Sequence, residues 1–74
     1  MTAAQYVYVV CRGEHGEGHD PVSVHADYDA AVASVADEIG DLPIRVAAKC
    51  VYVVALDLTD EIWIYGMPVQ AGAR

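Results

Sequence analysis

The sequence predicts an α+β fold, a small two-layer sandwich in the order β-β-α-β-β with one helix packed on an antiparallel or mixed sheet. Three observations carry that expectation. Residues 5–11 and 51–58 are valine- and tyrosine-rich runs of strand type, and a further β-run follows at 62–67. Between them Tyr28, Val32, Val35 and Ile39 recur at spacings of 4, 3 and 4, one face of a helix. At 74 residues the chain makes a single domain, 1–74, near the lower limit for folding without a staple or a partner.

Taken in order, QYVYVVC at 5–11 is the first strand. From Arg12 to Pro21, RGEHGEGHDP gathers glycine, histidine, acid and proline and reads as a long loop. VSVH at 22–25 sets Val22 and Val24 against Ser23 and His25, a half-solvated second strand that closes a hairpin. The helix over 27–39 takes Asp27 as N-cap and Gly40 as its stop, with Asp29 in the first turn. Asp37 and Glu38 then fall at the negative end of its dipole, at a small cost. IRVAAKC at 44–50 reads as extended. The runs at 51–58 and 62–67 form a tight hairpin turning at Thr59, Asp60 and Glu61; Pro68 stops the last strand, and residues 71–74 are loose.

Alternation divides the first strand into Tyr6, Tyr8, Val10 and Val7, Val9, Cys11, and the third into Val51, Val53, Ala55 and Tyr52, Val54, Leu56. Both sides are apolar, whereas a sheet with water on one face alternates apolar and polar residues. One helix covers one face, so the second cover is expected to be another protein surface, a second copy first of all. Five of the six aromatic side chains, Tyr6, Tyr8, Tyr52, Trp63 and Tyr65, lie on strands and are the candidate contacts of such a homodimer or partner interface. The competing arrangement folds the chain ends and residues 41–50 across that face.

A net charge of −7 with 55% apolar residues excludes several classes. The chain is too apolar for a disordered acidic tail and lacks the basic surplus that phosphate-backbone binding needs, so direct nucleic-acid binding is not expected. No apolar run nears the roughly 20 residues that span a bilayer, and MTAAQ does not start a signal peptide. The expected location is the cytoplasm, with Cys11 and Cys50 reduced.

The pattern YVVCRGEHGEG, then VSVHA, then DYDAAVASVADEI resembles a group of small uncharacterised proteins of bacteria and their phages over residues 6–39. In that group a tyrosine/valine strand leads through an acidic glycine-rich loop to a short strand and an alanine-rich helix. The resemblance implies the same element order and a bacterial or phage origin, and it brings no catalytic residue.

Cys11, His15 and His19 are weak candidates for a metal site, because thiolate and imidazole are common zinc ligands; their spacing matches no established motif, and no cofactor is expected. Gly13, Gly16 and Gly18 lead into a strand rather than a helix, with no P-loop lysine after them. No nucleophile elbow surrounds Ser23 or Ser34, so catalysis is not expected. Asp37, Glu38, Asp41, Asp57, Asp60 and Glu61 read as an acidic surface. The leading expectation is a non-catalytic acidic protein-interaction module. A phage-encoded inhibitor of a host defence nuclease, anti-CRISPR-like and mimicking nucleic acid with its acids, is the alternative, followed by a metal- or small-ligand-binding sensor.

Overall fold

A computed structural model of the chain describes residues 5–69. Five strands, β1 (Gln5–Glu14), β2 (Gly18–His25), β3 (Arg45–Ala48), β4 (Val51–Ala55) and β5 (Asp60–Val69), form one sheet, with α1 (Tyr28–Ser34) and α2 (Ala36–Ile39) between β2 and β3. The strand order is β2-β1-β5-β4-β3 and every neighbouring pair is antiparallel.

This overturns the predicted α+β sandwich of β-β-α-β-β order. The described residues are mostly sheet, 57% strand and 17% helix, with five strands and two short helices. Two physical features account for the difference. The expected helix over 27–39 breaks at Val35, whose φ of −121° and ψ of 16° leave the helical region. Just before the break the Ser34 hydroxyl donates to the Ala31 carbonyl at 2.7 Å, a local bond that competes with the helical ladder. The Asp27 cap forms as expected, its Oδ1 accepting from the Ala30 amide at 2.7 Å. Because of the break, Asp37 and Glu38 stand in the first turn of α2, where negative charge is favourable, and not at the end of a longer helix.

The strands also outrun their apolar cores. Residues 12–21, expected as loop, belong largely to β1 and β2, which pair from Tyr8 with His25 to Glu14 with Gly18 around a bulge at Val10 and Cys11. The turn between β4 and β5 lies at residues 56–59, not at 59–61. Asp57 builds it, its Oδ1 accepting from the Thr59 and Asp60 amides at 2.8 Å each. Pro68 does not stop β5, since it pairs with Tyr6. The extended segment at 44–50 contains β3. Residues 71–74, expected to be loose, lie outside the described residues.

Pairing register assigns each side chain to a face. The first face carries Tyr8, Val10, Arg12, Tyr52, Val54, Ile62 and Ile64. Against it pack Ala31, Val35 and Ile39 of the helical segment, and Val10, Ile62, Ile64 and Val54 are at most 1% exposed. Tyr28 enters this layer, with its ring centroid 6.0 Å from Tyr8 and 4.7 Å from Tyr52. Gly66 makes room for Tyr8, since a Cβ there would stand 2.9 Å from the Tyr8 ring. The second face carries Val7, Val9, Cys11, Val24, Val51, Val53, Trp63, Tyr65 and Met67, and no helix among the described residues packs on it.

Candidate functional site

The polar chemistry of the second face centres on Glu61. In an apolar strand, EIWIY, alternation puts Glu61, Trp63 and Tyr65 on one side. Gly13 lies opposite Glu61 in β1 and opposite His19 in β2. A Cβ at Gly13 would collide with the Gly18 carbonyl and stand 2.7 Å from the His19 ring, so glycine is what lets β2 and that ring come this close. The tips of the β1–β2 and β4–β5 hairpins are also tied together, the His15 amide donating to the Thr59 carbonyl at 2.6 Å.

These constraints bring three donors to one carboxylate. Trp63 Nε1 donates to Glu61 Oε1 at 2.9 Å, His19 Nε2 lies 3.1 Å from Oε1, and His15 Nδ1 lies 3.1 Å from Oε2. An ionised carboxylate only accepts, so His15 carries its hydrogen on Nδ1 and His19 on Nε2. Glu61 is 9% exposed. The Trp63 indole foremost, then His19 and His15, outweigh the opposing effect of burial and hold its carboxyl at about 2, against an ordinary value of 4.5. Every buried side-chain nitrogen and oxygen among the described residues has a partner.

Trp63 is thereby fixed from three directions. Its indole is held by Glu61, the His19 ring centroid stands 4.7 Å away, and Tyr65 stacks at 5.8 Å with only 16° between the planes. Around this strip Val24 is 62% exposed, Met67 47% and Val69 40%. Register places one carboxylate on the second face among the described residues, and it is the buried Glu61.

The expected contact residues therefore separate. Trp63 and Tyr65 lie on the uncovered face. Tyr8 and Tyr52 lie under the helical segment around Tyr28, and Tyr6 shares their side of the sheet near its end. Asp37, Glu38, Asp41, Asp57 and Asp60 are exposed as expected, whereas Glu61 is not part of any acidic surface, because its lone pairs are taken up inside the cluster. Arg12 pairs with Glu38 and tempers the field near α2. Of the metal candidates, His15 and His19 do converge, but on Glu61. Cys11 is buried, and burial together with the nearby Asp20 pushes its thiol up. No group of three His, Cys, Asp or Glu side chains among the described residues is arranged to hold a metal ion. Both cysteines are free.

Glu61 and Gly13 are the positions that sequence reasoning missed. The available signal was an acid two residues before a tryptophan within a β-run, which puts a carboxylate within reach of an indole N–H.

An open depression of about 350 Å³, lined by Arg12, Gly13, Glu14, Leu56, Asp60 and Glu61, lies between the hairpin tips. No helix among the described residues is long and apolar enough to cross a membrane. Comparison of the chain with protein-family models, curated proteins and solved structures finds no match.

Proposed function

We propose that the protein is a non-catalytic protein-interaction module of bacterial or phage type whose working surface is the second sheet face. One observation carries this reading: in a chain of net charge −7, that face presents Val24, Trp63, Tyr65 and Met67, with Arg45 at its β3 edge and no exposed carboxylate. Aromatic residues with few charges compose the centre of protein interfaces. The resemblance of residues 6–39 to small bacterial and phage proteins supports the assignment of type.

Its mechanism is docking onto a surface made ready beforehand. Trp63 is oriented by Glu61, His19 and Tyr65 in the free protein, so little side-chain freedom remains to be lost on binding. The test compares partner affinity at low and high salt for the parent, for Trp63→Ala and for the double variant Asp37→Lys/Glu38→Lys, each with a parental unfolding temperature. Trp63→Ala is expected to cost about 2 kcal/mol, and salt to change little. Loss of binding on charge reversal, with Trp63→Ala intact, replaces this reading by that of an acidic nucleic-acid mimic.

A further inference from the structure

We infer that the partner of the uncovered face is a second copy of this chain, packed sheet on sheet about a two-fold axis that runs across the strands near Trp63 and Tyr65. The inference rests on the interaction-module reading and names its partner.

Size gives the first argument. At ~3.3 Å per residue and ~4.8 Å between strands, the five strands tile about 600 Å² in plan. Two such faces reach the ~1,200 Å² at which specific interfaces begin.

Charge gives the second argument, and it selects the axis. The hairpin tips carry Glu14, Glu17, Asp57 and Asp60, all exposed. Arg45 sits on the β3 edge, and Lys49 in the β3–β4 turn, at the end of β4 away from Asp57. A two-fold axis along the strands would bring both sets of acidic tips together. An axis across them sends the tips to opposite ends, stacks each strand on its own copy and brings Lys49 of one chain toward the Asp57 hairpin of the other. The two sets of tips are then apart and Lys49 approaches an acidic hairpin, against which stands the approach of Asp27, just beyond β2, to the partner's Glu14 hairpin, while the carboxylate-free faces meet. Isologous contact of this kind closes at two copies.

The edges offer no competing route to self-association. Pro21 and the bulge at Val10 and Cys11 interrupt β2, and β3 spans only Arg45–Ala48 with an irregular register.

Sedimentation equilibrium of the full chain from 1 to 200 μM, with emission of the single tryptophan followed over the same range, tests the proposal. The expected result is a dimer mass at the upper concentrations and a red shift of Trp63 emission on dilution. Val24→Asp and Met67→Glu alter exposed positions and are expected to weaken the dimer at least tenfold, with an unchanged unfolding temperature at concentrations where parent and variant are both monomeric. Lys49→Glu is expected to weaken it, and Lys49→Glu/Asp60→Lys, which leaves the Asp57 turn intact, to restore it. A dimer indifferent to Val24→Asp and Met67→Glu overturns the assigned face; one that Lys49→Glu does not weaken, or that the exchange does not restore, overturns the axis. A folded monomer at 200 μM overturns the second copy. Photo-crosslinking in a bacterial lysate then decides the rest: a monomer that captures a protein lost in Met67→Glu leaves the module reading standing, and one whose captures are the same in parent and variant overturns both.

Discussion

Glu61 shows how one side chain can organise a surface while itself buried within it. Three donors from two hairpins converge on its carboxylate, and they make it easier to ionise in the folded chain than in the unfolded one. The sign follows directly. A carboxyl held at about 2 in the fold and near 4.5 when unfolded stabilises the fold fully above pH 4.5, and the contribution shrinks as pH falls from there toward 2. Thermal unfolding between pH 7 and 2 is expected to show a melting temperature that falls through that window. In Glu61→Gln the fall is expected to be smaller and the neutral-pH melting temperature lower, because the amide nitrogen cannot accept from a histidine. Equal slopes for parent and variant would show that other acids control the acid limb. The importance of Glu61 was hidden in the sequence by its company: beside Asp57 and Asp60 it reads as one more surface acid, and only the β4–β5 turn at 56–59 moves it inside the strand.

Elements were legible in proportion to how far they bury a face. Helical periodicity at Tyr28, Val32, Val35 and Ile39 located the helical segment, since all four side chains are drawn toward the core. It did not reveal the break, because Val35 remains buried on the same side after its backbone leaves the helix. Ser34→Ala removes the competing hydroxyl and raises helix propensity by about 0.5 kcal/mol. The expected outcome is a melting temperature a few degrees higher, with more helical circular dichroism. The outer halves of β1 and β2 were illegible for the opposite reason. They run on beside β5, and Arg12, Gly13, Glu14, Gly18, His19 and Asp20 offer no apolar alternation to mark them. At the end of this three-stranded stretch Glu14 stands directly opposite Asp60, and like charges across a strand pair repel. Glu14→Lys turns the pair into an attractive one and is expected to stabilise the protein by about 0.5 kcal/mol, read as a shift of the denaturation midpoint in urea. Most of that gain should vanish in 1 M salt.

At the scale of the molecule, the sequence indicated that both sheet faces are apolar and that its helical segment serves one of them. It did not indicate which tyrosines belong to which face. Alternation sorts residues within a strand, but relating one strand to the next takes pairing register, and that is fixed here by a bulge and two turns that composition leaves undefined. Tyr8 and Tyr52 therefore looked equivalent to Trp63, although they flank Tyr28 on the far side of the sheet. The strand order has a further consequence, for the timing of folding. The longest ladder joins β1 to β5, the first strand to the last, so the middle of the sheet closes only after almost the whole described chain has left the ribosome. Until then β1 has β2 on one flank and an open valine-rich edge on the other, while β3, β4 and β5 assemble separately. Two small units, β1–β2 and β3–β4–β5, are joined by residues 26–44, but the strands they must bring together are the first and the last, which makes a slow, high-contact-order step in which the nascent chain is most exposed to mispairing.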